Sequence, residues 1–249
     1  MKPYKPTFME RAKEVAKKIL KPFALGRWVY PVIQRMYRSY AIPKKRKRLQ
    51  KYGPEALGRL HKLLVDNNVE YYFDAGTLLG FVRDRCFMPH DDDMDIAIMD
   101  GSITPPKLLK LFIDNGYGYV HSFDYEGRIL MFTVTDVTGI TIDVFFQTLR
   151  EGSDTVFDAW GLYWFADRTY PSPIANTVIS YPYLKPTGFK TIEIFGQKAV
   201  IPENIDEVLE SEFGDWRNPD PNFAHENTKH TEWPGFGYKL TLEEALNHK

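Results

Sequence analysis

The sequence predicts an α+β fold: a mixed sheet flanked by helices, with a basic helical arm at the N-terminus. Three observations carry this. Alternating stretches such as DIAIM at 95–99 and RILMFTVT at 128–135 read as strands, while PPKLLKLFIDNG at 105–116 and PENIDEVLESEFG at 202–214 read as helices. Aromatics at 15% and 17 prolines argue for many short elements and ordered loops rather than a long bundle. The charge is also divided. Residues 1–62 hold 18 Lys/Arg against 3 Asp/Glu and residues 63–249 hold 14 against 30, so a net charge of -1 conceals a basic arm on an acidic body. With 43% hydrophobic content, residues 51–249 are expected to bury one core, and residues 1–50 form the arm.

In chain order, residues 8–23 place Phe8, Ala12, Val15, Ala16, Ile19 and Phe23 on one helical stripe with lysines elsewhere, and Pro22 ends that helix. Arg27–Tyr40 resumes an aromatic, basic pattern interrupted by Pro31, and PKKRKRLQK follows at 43–51. This arm either packs its apolar stripe on the body or docks on an anionic membrane surface. Nothing else resembles a nucleic-acid module, so no nucleic-acid partner is expected. A helix is expected over 54–68, with Pro54 in its first turn and Asn67-Asn68 at its stop. A short strand at 70–74 and a helix over 76–85 come next. Strands follow at 95–99, 117–122, 128–135 and 140–147, with the helix at 105–116 between the first two. A hairpin over 190–201 turns at Gly196-Gln197. The helix over 202–214 starts at Pro202 and stops at Gly214, and residues 215–249 read as ordered loop.

The lone Cys86 excludes an intramolecular disulfide framework and a Cys-cluster zinc site. No stretch approaches about 18 uninterrupted apolar residues, and the N-terminus lacks the apolar region of a signal peptide. The expectation is a cytoplasmic protein, peripheral on the inner membrane face.

FMPHDDDMDIAIMD, residues 87–100, sets four aspartates in five positions and runs directly into a strand. Asp93 and Asp95 are two apart at the strand start, so their side chains share a face. Two such carboxylates without nitrogen or sulfur partners select a hard cation, Mg²⁺ or Mn²⁺. Asp143, in TIDVFF, is a carboxylate on a core strand, costly unless paired or metal-bound. If that strand lies beside 95–99, three carboxylates converge opposite Gly76-Thr77. There glycine lets backbone approach a ligand and the helix start suits phosphate. That layout fits metal-assisted phosphoryl or nucleotidyl transfer. A solvated acidic turn, a simple helix cap and a buried arginine partner are the competing readings of the three parts.

DAGTLLGFVRDRCFMPHDDDMDIAIM, residues 74–99, resembles the signature of the LicD/fukutin phosphotransferases, which carry Gly-Thr/Ser-Leu-Leu-Gly, an arginine and Pro-Trp-Asp-Asp-Asp-x-Asp. IPENIDEVLESEFGDWRNP, 201–219, is similar to the family's C-terminal segment, so the resemblance spans roughly 54–230. His90 stands where the family has tryptophan. The resemblance implies a nucleotidyltransferase-like fold and transfer of a phosphoalkyl group, phosphocholine, ribitol phosphate or glycerol phosphate. The donor would be a CDP-linked alcohol, the acceptor a hydroxyl of a surface glycan or its lipid-linked precursor, and CMP would be released. It puts Gly76 and Thr77 at the phosphates, Asp93 and Asp95 on the metal, and Asp143 as metal ligand or base. Arg83 would contact the diphosphate, Asp91 and Asp92 would support, and His90 and His225 (with His230) are weaker candidates. Choline would call for an aromatic cage, for which Trp160, Trp164, Trp216 and Trp233 are available. The rival readings are an Asp-x-Asp glycosyltransferase, which would release UDP or GDP, and a non-catalytic glycan- or partner-binding protein.

Overall fold

The computed structural model describes residues 11, 12, 15, 26–99, 101–125, 127–149, 155–163, 175–220 and 231–248. Its longest element is helix α1, Gly26–Asp66, which runs through Pro31, Pro43 and Pro54. The interruption expected at Pro31 and the helix start expected at Pro54 are therefore absent, and the boundary drawn at residues 50 and 51 falls inside one helix. Proline removes one helical hydrogen bond but fixes φ at a helical value. Tertiary contacts here outweigh that loss: Leu49, Ala56, Leu57, Leu60 and Leu64 form one fully buried stripe. The helix expected over 8–23 lies almost wholly outside the described residues.

After α1 come β1 (Tyr72–Phe73), α2 (Ala75–Leu79), a π-helical turn (Gly80–Asp84), β2 (Asp93–Met99), α3 (Pro105–Asp114), β3 (Gly118–Tyr125), β4 (Arg128–Thr135) and β5 (Thr141–Leu149). Then follow β6 (Thr155–Tyr163), β7 (Ala175–Leu184), β8 (Phe189–Ile194), β9 (Gln197–Pro202), α4 (Ile205–Phe213), β10 (Thr231–Leu240) and α5 (Leu242–Leu246). Eight of the described strands form a sheet in the order β1-β2-β5-β4-β3-β10-β7-β6. Within it β2 and β5 run parallel and their outer neighbours antiparallel, a mixed sheet in an α+β chain as expected.

Alternation along β2 and β5 sends Met94, Ile96, Ile98, Ile142, Val144 and Phe146 into one core with Leu57, Leu60 and Leu64 of α1 and Leu108, Leu109 and Phe112 of α3. Each such fully buried side chain contributes about 1.5–3 kcal/mol. Two arginines of α1 then hold the β4–β5 turn: Arg59 pairs with the buried Asp136, and Arg48 donates to the Gly139 carbonyl at 3.0 Å. Gly80 joins α2 to the π-helical turn. A Cβ there would fall 2.6 Å from the Cys86 carbonyl oxygen, so no larger residue fits that approach.

Three other expectations shift. The hairpin turn is Phe195-Gly196 rather than Gly196-Gln197, since Ile194 pairs with Gln197 and both turn residues have positive φ (54° and 71°). Pro202 ends β9, and Asn204 stands at the N-cap position of α4. The tail is not all loop, because β10 inserts between β3 and β7. Such long-range pairing leaves no local periodicity to read.

Candidate active site

Asp93 and Asp95 share a face of β2, and β5 brings Asp143 into direct register with Asp95. Parallel neighbours lie about 4.8 Å apart, so these carboxylates crowd one another. Asp95 is 6% exposed. Burial first, then the charges of Asp143 and Asp92, raises the pKa of Asp93. Burial, Asp93 and Asp143 raise that of Asp95 well above the usual carboxylate range. Burial also raises Asp143, opposed by a hydrogen bond from Thr133 and the charge of Lys45.

Specific bonds hold this crowd in place. The backbone N–H of Asp95 donates to Thr77 Oγ1 at 2.9 Å, and that hydroxyl donates to Asp95 Oδ2 at 3.4 Å. Thr77 is 1% exposed, so its hydroxyl is committed to Asp95 rather than directed at solvent. Thr133 Oγ1 donates to Asp143 Oδ1 at 2.5 Å. From α1, Lys45 Nζ reaches Asp92 Oδ2 at 3.2 Å. Burial works against the charge of Lys45, but Asp92, Asp93 and Asp143 more than offset it and its pKa is raised.

Gly76 lies against Asp91, where an added Cβ would meet Asp91 Oδ1 at 3.4 Å, an ordinary contact. Burial pushes Asp91 up to about 6, and its Oδ2 is sealed without a hydrogen-bond partner. His90 is exposed, with Nε2 3.9 Å from Asp91 Oδ1. Arg83 is held by neighbours: Nη2 donates to Asp84 at 2.8 Å and Nη1 to the Trp216 carbonyl at 3.4 Å, while the charge of Asp91 also acts on it. His225 and His230 lie outside the described residues, as does Trp164. Trp216 is a core residue, 7% exposed among Leu78, Leu79, Val208 and Leu209.

A sequence profile described as LicD/FKTN/FKRP, nucleotidyltransferase domain, matches residues 68–186. That stretch belongs to the LicD family. Two curated relatives are uncharacterized proteins of Rickettsia. One, from R. typhi (strain ATCC VR-144 / Wilmington), is 42% identical over 66 residues, covering 26% of this chain and 21% of its own. The other, from R. prowazekii (strain Madrid E), is 38% identical over 78 residues, covering 31% and 29%. The chain thus spans under a third of the length of the curated relatives it matches.

The LicD match runs from just before β1 to just beyond β7 and contains Gly76, Thr77, Arg83, Asp91–Asp93, Asp95 and Asp143. It is shorter at both ends than the resemblance read from sequence. Two residues beside the site come from outside it. Lys45 lies on α1, and Glu212 lies on α4, where burial and the charge of Asp74 raise its pKa well above normal. Sequence reasoning missed both, because Lys45 is one base in a run of five and Glu212 one acid in an ordinary amphipathic helix. It also missed Asp74, which is fully buried and accepts from Gln147 Nε2 at 3.5 Å.

The residues present fit a hard divalent cation by charge and donor type: oxygen donors only, buried, and carrying more negative charge than Lys45 alone offsets. Among the described residues no three His, Cys, Asp or Glu side chains form a ready-made cage. Mg²⁺ does not require one, since it is commonly held by one or two carboxylates, waters and substrate phosphate.

Proposed function

We propose that the protein transfers a phosphoalkyl group from a CDP-activated alcohol to a hydroxyl of a surface glycan or its lipid-linked precursor, releasing CMP. The observation that carries this reading is the register of Asp95 with Asp143 inside a LicD-family domain, with Asp93 on the same face. Asp93 and Asp95 would hold Mg²⁺ or Mn²⁺, which supplies charge neutralisation at the diphosphate. Asp143 accepts the proton of the attacking hydroxyl. As that oxygen bonds to the phosphorus of the transferred group, the bond to CMP breaks and its electron pair leaves with CMP. Lys45 adds positive charge to the same acidic face. Packing within the protein does not demand glycine at position 76, and a donor phosphate lying against that backbone accounts for it.

The N-terminal helix supports a location at an anionic membrane surface. Val32, Met36 and Tyr40 recur every four residues on α1 and are 57%, 66% and 46% exposed, amid the basic residues of the arm. Among the described residues no helix is long and apolar enough to cross a membrane, and the proposed association is peripheral, on the cytoplasmic face. The test of the reaction is incubation with CDP-choline, CDP-ribitol and CDP-glycerol plus Mg²⁺, followed by nucleotide analysis. CMP from one donor is the expected result. UDP or GDP from a nucleotide sugar, or no nucleotide at all, would overturn it.

A further inference from the structure

The row that begins with Asp95 and Asp143 continues across the sheet. Asp143 pairs in register with Thr133 of β4, and Thr133 with His121 of β3. His121 reaches that place through a β-bulge. Tyr119 opposes Val134 but His121 opposes Thr133, so Val120 is the extra residue and is turned outward, 42% exposed. Without the bulge Val120 would face Thr133, and His121 would point to the other side of the sheet. His121 Nε2 lies 3.1 Å from Thr133 Oγ1, and Thr133 is 1% exposed.

We propose that Thr133 and His121 are positioning residues for Asp143, joined in a one-way hydrogen-bond chain that selects the oxygen on which Asp143 acts. A threonine hydroxyl has one hydrogen. Thr133 gives it to Asp143 Oδ1 at 2.5 Å, so toward His121 the hydroxyl can only accept. His121 therefore carries its proton on Nε2. The chain runs from Nε2–H to Oγ1 and from Oγ1–H to Oδ1. It engages Oδ1 and leaves Oδ2 for the acceptor's proton. This role rests on the reading of Asp143 as the base in the proposed transfer. His121 keeps its own proton throughout, and neither it nor Thr133 touches substrate.

Two measurements on the full chain test this and separate it from the reaction itself. Long-range nitrogen–proton NMR should find His121 as the Nε2–H tautomer, and Thr133→Val should abolish that preference. In CMP-release kinetics, Thr133→Val and His121→Phe should each lower kcat roughly 10–100-fold with donor KM nearly unchanged, the scale of losing a partner that orients a reacting group. Thr133→Ser should restore kcat, and the double variant should be no worse than Thr133→Val alone. An Nδ1–H tautomer in the wild type, or unchanged kcat in folded Thr133→Val and His121→Phe, would overturn the chain. An Nε2–H tautomer lost in Thr133→Val, with no CMP from any donor, would uphold the chain and overturn the reaction.

Discussion

The two faces of the β2–β5 pair are built to opposite rules from the same two strands. One face sets Met94, Ile96 and Ile98 against Ile142, Val144 and Phe146 in the apolar core. The other sets Asp93 and Asp95 beside Asp143. The apolar face holds the strands in register, and the register forces together carboxylates that repel one another. Rigidity on one side is thus what maintains an unfavourable charge density on the other, where a cation and a diphosphate can be received. Substitutions on the two faces should therefore fail in different ways.

The largest effect is expected on the acidic face. Asp95→Asn should lower Mg²⁺-dependent CMP release by at least about 10²–10³-fold, since the lost group acts on charge in the transition state. With chelator present, the variant should unfold no earlier than the wild type in urea, because a strained buried charge has gone. Near-wild-type turnover would remove Asp95 from the site. On the apolar face Ile98→Ala should do the reverse. It should cost about 2–5 kcal/mol in urea denaturation while the folded fraction retains its turnover.

The pH dependence of stability sharpens the same contrast. Asp91, Asp93, Asp95, Asp143 and Glu212 all have folded pKa values above those of free carboxyls, burial being the leading cause. The folded state thus binds more protons than the unfolded chain. That contribution is complete below about pH 4 and is lost as pH rises through the values of about 6 for Asp91 and about 8 for Asp93. In EDTA, denaturation midpoints should fall between pH 5 and pH 8, and added Mg²⁺ should recover most of the loss at pH 8. A midpoint that rises over this range in EDTA would contradict the raised values.

Much of this site was legible in the sequence, and the reason is local. Asp93 and Asp95 share a face by strand periodicity, and Asp143 announces itself as a charge in an apolar run. Their convergence needed one guess, that 140–147 lies beside 95–99, and β5 does. What was not legible depends on long-range register or on a helix outlasting its breakers. His121 is placed by a one-residue bulge, and nothing in GYVHSF marks which residue is extra. Thr77 reads as a phosphate contact by analogy, yet in the fold its hydroxyl is spent on Asp95. The break at Pro31 and the helix start at Pro54 suggested an arm separate from the body. Instead α1 carries Lys45 into the acidic face and Leu49 into the core.

That last difference yields the smallest prediction and the most selective one. Lys45 and Lys47 are near neighbours in PKKRKR, but among the described residues Lys45 alone of the two has aspartate partners, and both it and Asp92 are about a quarter exposed (27%/27%). If α1 serves the site, Lys45→Met should cost about 1–2 kcal/mol in urea with EDTA, between the values typical of exposed and buried pairs. Lys47→Met, on an exposed position, should stay within about 0.5 kcal/mol. Mg²⁺ should shrink the Lys45→Met deficit, because a divalent cation takes over the neutralisation that the ammonium provides. The same logic dictates where the arm can be cut. Removing residues 1–40 spares Lys45 and Leu49, so release from anionic vesicles should come with stability largely intact, whereas removing residues 1–50 should destabilise the body as well. Equal stability losses for Lys45→Met and Lys47→Met would return Lys45 to the solvent and remove it as a counter-charge of the acidic face.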